Sequence, residues 1–294
     1  MSVYITSFHI PSWGDFWDYH HGTSVVEIPF FQSGPESYPI GLFPGKLDFE
    51  FSPVTIFYGG NGSGKTTILN LIASKLGIGH RTDINDSEYF GLFSEICELT
   101  THSDFDEINR RCDIITSDDV VQHCFKLRTS NKQITARQHE LLERISEVKN
   151  KIPNLHGLED LERYKKDLEL RRKSYSEGLR RFVGHTLKTS SNGEAALNYF
   201  TSAIDSAGVY LLDEPENSMS PLFQLKLIEF LQTTADFLGM QFIIATHSPL
   251  LLGMRNATIF NLDEEGAPKS KFSELENVRI LQRFFAERAD EFEE

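Results

Sequence analysis

Residues 59–66 constrain the possible folds of this chain more than any other part of its sequence. Their order, GGNGSGKT, fits the P-loop pattern GxxxxGK[ST]. The loop follows an apolar, β-branched run at 54–58, which predicts a buried strand, and residues 66–76 after it predict a helix. Glycines in such a loop let backbone N–H groups turn inward around phosphate oxygens at the helix N-terminus. The sequence therefore predicts a strand, a phosphate-binding loop and a helix in succession.

Two side chains of this loop have distinct predicted roles. Lys65 places a positive charge near the β- and γ-phosphates of a nucleotide, and the hydroxyl of Thr66 is a predicted magnesium ligand. The predicted nucleotide-binding residues of this segment are Gly59, Gly60, Asn61, Gly62, Ser63, Gly64, Lys65, Thr66 and Thr67.

Two adjacent carboxylates end a second apolar run. Residues 209–212 are Val, Tyr, Leu and Leu, and Asp213 and Glu214 follow them. An acidic pair at a strand end is often only a helix cap or a solvated turn. After a P-loop, however, such a strand delivers an aspartate beside the bound phosphates. We expect Asp213 to hold Mg²⁺, directly or through water, and Glu214 to polarise the attacking water.

A third run, 242–245, ends in the polar sequence Thr246-His247-Ser248, and a fourth, 258–262, predicts an edge strand. His247 lies one strand beyond the carboxylate pair, from where its side chain is expected to reach the γ-phosphate. Helix-period segments separate the late runs, and this alternation is typical of a parallel sheet covered by helices. The predicted fold class is therefore α/β, with a parallel-rich sheet and a β-rich N-terminal portion.

These segments together resemble the ABC ATPases, and within them the branch that includes RecF-like and SMC-like heads. GGNGSGKT resembles the Walker A motif of that branch, SSNGE its signature, LLDEPENSMSP its Walker B motif and D-loop, and ATHS its H-loop. The resemblance implies a P-loop NTPase fold of ABC type with ATP and Mg²⁺ as ligands. It also implies that Ser191 and Gly193 of one subunit contact the γ-phosphate held by the P-loop of another. Two nucleotides are then sandwiched in a dimer, with Glu214 as catalytic base and His247 as γ-phosphate sensor.

The match to this family has two departures. Ser190 and Asn192 stand in the signature where transporter subunits usually have Leu and Gly. The Q-loop glutamine is not fixed by the sequence, although a strand-like segment at 112–115 is followed closely by Gln122. GTP is disfavoured, because residues 131–134 begin like the guanine-specificity motif NKxD but lack its aspartate.

The middle of the chain differs from the two ends. Residues 134–182 carry apolar stripes at helical spacing on both sides of Pro153, and they predict an antiparallel helical hairpin. We expect an ATPase head at 1–79 and 190–294, with an inserted helical lobe at 80–189. Residues 126–188 contain 16 Lys and Arg against 9 Asp and Glu, a net charge of +7. The remainder carries −21, so an acidic body holds a basic insert.

Composition limits the class of protein further. The net charge of −14 argues against an extensive nucleic-acid-binding surface. No apolar run approaches the roughly 18–20 residues that span a bilayer, so we expect no membrane partner. The N-terminus lacks the pattern of a signal peptide, and the odd number of cysteines shows no CxxC spacing; both favour the cytoplasm.

Three functions are compatible with these features. The leading one is a stand-alone switch whose ATP-driven dimer, or higher assembly, controls or senses an effector protein. Small ABC-class proteins that resemble this chain occur in bacterial anti-phage defence and toxin-type modules. The alternative is a DNA-repair-type ATPase whose basic hairpin contacts phosphate backbones. The ATPase subunit of a transporter is the least favoured, because the signature departs from that of transporters.

Overall fold

Strands and helices alternate along most of the chain. The computed structural model describes residues 3–20, 37–79, 81, 87–103, 105, 112–130, 132, 136 and 192–292. The longest helix with defined bounds has 17 residues, and in the part of the chain described no helix is both long and apolar enough to cross a membrane. In chain order the elements are β1 (Ile5–Ile10), α1 (Trp13–His20), β2 (Leu47–Glu50), β3 (Val54–Tyr58), α2 (Lys65–Lys75), α3 (Phe90–Ile96), β4 (Glu98–Thr101), β5 (Asp113–Thr116), α4 (Asn192–Ala203), β6 (Gly208–Asp213), α5 (Pro221–Phe237), β7 (Met240–Thr246), α6 (Pro249–Leu252), β8 (Thr258–Asn261) and α7 (Glu276–Ala286).

The central sheet has five parallel strands in the order β5-β6-β7-β3-β8. Every residue of β3, β6 and β7 is buried. Strands covered on both faces need apolar side chains on both, which explains their continuous rather than alternating hydrophobic runs. The predicted α/β fold with a parallel-rich sheet is confirmed. The strand order also makes neighbours of β3, β6 and β7, which are far apart in sequence.

A second, antiparallel sheet of three strands has the order β2-β1-β4. The strands β4 and β5 contribute to the two sheets, since β4 pairs with β1 and β5 pairs with β6. These two strands group with the head, whereas the sequence analysis placed them in the insert. The physical reason is that their backbone groups complete the hydrogen bonding of β1 and β6, a pairing that local sequence does not reveal.

The chain separates into two compact units. The first comprises Met1–Val120 and Asn192–Glu294, and the second comprises Val121–Ser191. In the second unit, residues 121–130 are helical. The predicted hairpin, 134–182, lies outside the described residues except for residue 136, so it stays a prediction.

One buried side chain links the two sheets of the first unit. Gln241 on β7 is fully buried, and its Oε1 accepts hydrogen bonds from the backbone N–H groups of Tyr4 (2.8 Å) and Ile5 (2.9 Å). Its Nε2 donates to the carbonyl of Ile5 (2.9 Å). The pairing of β1 with β4 is irregular between Ile5 and Ser7. The glutamine amide thus satisfies backbone groups at an irregular point of the ladder, inside the protein.

We predict that Gln241→Leu lowers the free energy of unfolding by at least about 3 kcal/mol, because three buried backbone groups lose their partners at about 1–3 kcal/mol each. Urea unfolding followed by circular dichroism measures the change. The exposed Gln282, replaced by Leu in the same way, is the control, and its effect is expected within about 0.5 kcal/mol. Equal stability of the two variants would contradict this role of Gln241.

Candidate nucleotide-binding site

The P-loop lies between β3 and α2, as the sequence predicts. Gly62 and Gly64 have φ values of 82° and 92°, in the left-handed region that favours glycine. Gly59 has no room for a side chain, because a Cβ there would lie 2.4 Å from the Oγ of Ser63. The glycines therefore allow the loop to turn tightly from the strand into the N-terminus of α2, where phosphate groups bind in P-loop proteins.

Lys65 is 5% exposed, and its ammonium group points back across the loop. Its Nζ donates to the carbonyl oxygens of Gly59 (2.8 Å) and Gly60 (2.7 Å). The positive charge is thus held inside the loop that is expected to carry phosphates. Thr67, also a predicted contact, is buried, and its hydroxyl lies 3.4 Å from that of Tyr38.

A carboxylate that the sequence analysis passed over also contacts the loop. Both oxygens of Asp263, just after β8, accept from the backbone N–H of Gly60, at 2.8 and 3.1 Å. β8 is the neighbour of β3 in the sheet, which brings its carboxyl end beside the loop. No local motif marks this aspartate, because its role depends on that strand pairing.

Asp213 lies at the carboxyl end of β6, and its side chain meets the first turn of α2. The hydroxyl of Thr66 donates to its two carboxylate oxygens, at 2.9 and 3.1 Å. Burial raises the pKa of Asp213 to about 6; nearby Glu214 and Glu216 also raise it, and the Thr66 hydrogen bond and the charge of Lys65 lower it. The structure therefore brings together the two predicted magnesium ligands.

These two residues fit a magnesium ion in chemical type. Mg²⁺ prefers oxygen ligands and is usually held by one or two carboxylates together with substrate phosphates. The described residues contain no group of three or more His, Cys, Asp and Glu placed to hold a metal alone. A carboxylate and a hydroxyl beside a phosphate-binding loop therefore suit a Mg²⁺ ion that is held jointly by the protein and by substrate phosphates.

Glu214 and His247 are adjacent at the ends of β6 and β7. The Oε1 of Glu214 is 3.5 Å from the Nδ1 of His247, and its Oε2 accepts from the side chain of Asn217 at 2.9 Å. Glu214 has a φ of 45°, and its backbone N–H donates to the carbonyl of Ala245 at 2.8 Å. A non-glycine residue in this region is strained, and such strain is concentrated at functional sites.

The predicted signature residues give a different picture. Ser191 lies outside the described residues. Gly193 is buried in the first turn of α4, and a Cβ there would lie 2.8 Å from the Cδ2 of Phe223 on α5. The close approach of the Phe223 ring thus explains why a glycine stands at position 193. Its predicted contact with the γ-phosphate in a second subunit stays a prediction.

The described geometry brings the P-loop, Asp213, Glu214 and His247 to one edge of a parallel sheet. Residues 125–253 match the family model described as "AAA domain, putative AbiEii toxin, Type IV TA system". The matched span includes the segments that resemble the signature, the Walker B motif and the H-loop. Over this span the chain is similar to that family. No curated protein is similar enough to this chain to count as a match.

Solved structures with similar chains include the Smc head domain of Pyrococcus furiosus with an extended coiled coil, bound to the C-terminal domain of ScpA. It is 13% identical, with coverage of 96% of this chain and 99% of that one and a TM-score of 0.47. The dimeric bacterial ABC transporter cassette MJ0796 is 15% identical, with 78% and 90% coverage and a TM-score of 0.38. Stu0660 of Streptococcus thermophilus is 13% identical, with 75% and 72% coverage and a TM-score of 0.39.

We predict that Asp213→Asn stabilises the protein at pH 7 in the absence of Mg²⁺ and nucleotide. The pKa of Asp213 is raised from 3.8 to about 6 in the folded protein. Its ionisation therefore lowers the free energy of unfolding as pH increases from about 3.8 to 6. The cost above pH 6 is about 3 kcal/mol at most. In urea unfolding with EDTA, we expect Asp213→Asn to raise the free energy of unfolding by about 2–3 kcal/mol at pH 7 and by less toward pH 4.5.

The matched control for this experiment is Asp290→Asn, at an exposed aspartate, which is expected to change stability by less than about 0.5 kcal/mol. A loss of stability in Asp213→Asn at pH 7 would contradict the prediction.

Proposed function

We propose that the protein binds Mg-ATP at this edge of the sheet and hydrolyses it to ADP and phosphate. The observation that carries the proposal is the convergence of a phosphate-binding loop, an Asp–Thr pair and a Glu–His pair on adjacent strand ends. The loop supplies positioning of the phosphates, the Asp–Thr pair supports charge neutralisation, and the Glu–His pair activates water.

The residues divide these tasks in the proposed mechanism. The N–H groups of the loop and the ammonium of Lys65 hold the β- and γ-phosphates. Thr66 and Asp213 would hold Mg²⁺, which, when bound, neutralises charge on the phosphates. Glu214 accepts a proton from the attacking water, and His247 donates a hydrogen bond toward the γ-phosphate. The Asn217 hydrogen bond to Glu214 orients the carboxylate.

We further propose that a second subunit completes the site. The side chains of Glu214 and His247 are 27% and 43% exposed, so the site of one subunit is open to water at the reacting end. Phosphoryl transfer benefits from exclusion of water and from fixed donors around the developing charge. The signature residues Ser191 and Gly193 of a partner copy are the proposed cover, as the family resemblance implies.

Replacing Glu214 by Gln tests both parts of the proposal. We expect ATP turnover to fall at least about 100-fold, because the amide accepts no proton, while the ATP-bound dimer accumulates. Phosphate release measures turnover, and light scattering with and without Mg-ATP measures molar mass. Glu229→Gln, at an exposed site on α5, is the control and is expected to behave as the unmodified protein.

The two readouts separate the possible failures. Undiminished turnover in Glu214→Gln would refute the role of this base. A mass that stays at the monomer value with ATP bound would refute the sandwich, whereas a dimeric mass without ATP would mean that the dimer is constitutive.

For the biological role, we propose a switch in which the closed ATP-bound dimer controls an effector protein. The support is the description of the matching family, which refers to a toxin of a toxin–antitoxin system. On this proposal a neighbouring gene product is retained by Glu214→Gln in the presence of ATP and released in its absence. Equal retention in both conditions would rule out control by nucleotide.

The net charge of +7 on residues 126–188 supports DNA as a second candidate partner. If the hairpin binds DNA, replacing Arg171, Arg172 and Lys173 by Glu is expected to weaken binding at least about 100-fold, and the affinity of the unmodified protein falls steeply with salt. Fluorescence anisotropy with labelled duplex DNA measures both effects. Affinity that is unchanged in the triple variant would exclude the hairpin as a DNA-binding element.

A further inference from the structure

Glu216, two residues after Glu214, is buried much more deeply than Glu214. Glu216 is 6% exposed and lies in the turn after β6, where the backbone N–H of Asn217 donates to the carbonyl of Glu214 (3.1 Å) and that of Met219 to the carbonyl of Glu216 (3.0 Å). Burial raises the pKa of Glu216. Placing a carboxylate in the interior is costly unless its oxygens are well hydrogen-bonded, so its surroundings indicate what it does.

One oxygen of Glu216 accepts three hydrogen bonds from the loop that carries His247, whose carbonyl also accepts from Asn277 at 3.2 Å. Oε1 accepts from the hydroxyl of Thr246 (2.5 Å) and from the backbone N–H groups of His247 and Ser248 (both 3.2 Å). Thr246 is the last residue of β7, so all three donors lie at or just beyond the end of that strand. The other oxygen, Oε2, is buried and has no hydrogen-bond partner.

Strand pairing with β3 reaches Thr246, but the pairing of β7 with β6 does not extend into this loop. Pairing of β6 with β7 ends at Asp213 and Ala245, and the bond from the Glu214 N–H to the Ala245 carbonyl is the last backbone link. Beyond it, Glu216 supplies the connection between the two strand ends. The ring of His247 lies close to both glutamates, with Nδ1 3.5 Å from Oε1 of Glu214 and 3.9 Å from Oε1 of Glu216.

We propose that Glu216 is a positioning residue, which holds the loop at 246–248 so that His247 stays beside Glu214. This inference rests on the proposed function, since it gives Glu216 a role in hydrolysis through His247 rather than through contact with ATP. A carboxylate oxygen that accepts hydrogen bonds from three donors of one loop restricts both the position and the orientation of His247 in that loop. Misplacement of a catalytic group by about 1 Å can lower the rate about 100-fold.

The primary test is Glu216→Ala in the full chain, with kcat, KM and the Kd for ATP measured separately. We expect kcat to fall about 10- to 100-fold, while KM and Kd change less than about twofold, because the P-loop still binds the phosphates. Glu216→Gln is expected to stay within about threefold of the unmodified kcat, since its amide oxygen can accept the same three donors. Glu229→Gln on α5 is the matched control.

A second measurement, amide hydrogen exchange, reports on the stability of the loop at 246–248 without relying on hydrolysis. The amide protons of His247 and Ser248 are expected to exchange with solvent at least about 10-fold faster in Glu216→Ala, and those of Ile243 and Ile244 in β7 at an unchanged rate. If Glu216→Ala does not fold, Thr246→Val removes the hydroxyl that donates to Glu216 and that accepts from the Ser248 N–H, and it is expected to lower kcat about threefold or more. This exchange test stays informative if the unmodified protein hydrolyses no ATP, an outcome that defeats the proposed function by itself.

The outcomes divide cleanly. Slower turnover with unchanged ATP affinity, faster amide exchange and rescue by Gln support the positioning role. Retained kcat in Glu216→Ala, a fall in ATP affinity that matches the fall in kcat, or unchanged exchange at His247 and Ser248 overturns it.

Discussion

The parallel pairing of β3, β6 and β7 is the constraint on which the site depends. In a parallel sheet all carboxyl ends meet at one edge, and ligands of open α/β sheets bind there. This edge holds the P-loop after β3, the Asp–Glu pair after β6 and the His247 loop after β7. More than a hundred residues separate the P-loop from Asp213 in the sequence. Strand pairing nevertheless places the ends of β6, β7 and β3 side by side in the sheet.

The same edge concentrates features that are unfavourable for stability. Asp213, Glu216 and Lys65 are all nearly buried, and Glu214 adopts a strained backbone conformation. Charges in a low-dielectric environment interact strongly with substrate charges, but each costs desolvation energy in the folded protein. The rest of the first unit offsets this cost through an apolar interior, including fully buried phenylalanines such as Phe57 and Phe242. Stability elsewhere therefore permits a polar site at the sheet edge.

Much of the fold and of the site was predictable because the relevant signals are local. The glycine pattern of the P-loop is a requirement of a tight turn, and the buried strands produce unbroken apolar runs at 54–58 and 209–212. Asp263, Gln241 and Glu216 gave no comparable signal. Each acts on a segment far away in sequence: Asp263 contacts Gly60, Gln241 contacts β1, and Glu216 contacts the loop after β7. A polar residue with a distant partner looks the same in sequence as one exposed to solvent.

The sequence by itself determined the class of fold, the phosphate-binding loop and the chemical type of the residues around it, because backbone geometry and strand burial restrict which residues fit at each position. Only the tertiary structure decided that β4 and β5 belong to the head, that Gly193 packs against Phe223, and that Glu216 accepts a hydrogen bond from the backbone of His247. Those facts depend on which strands and helices become neighbours. Neighbours are selected by hydrogen bonding and packing over the whole chain, and no local pattern records that choice.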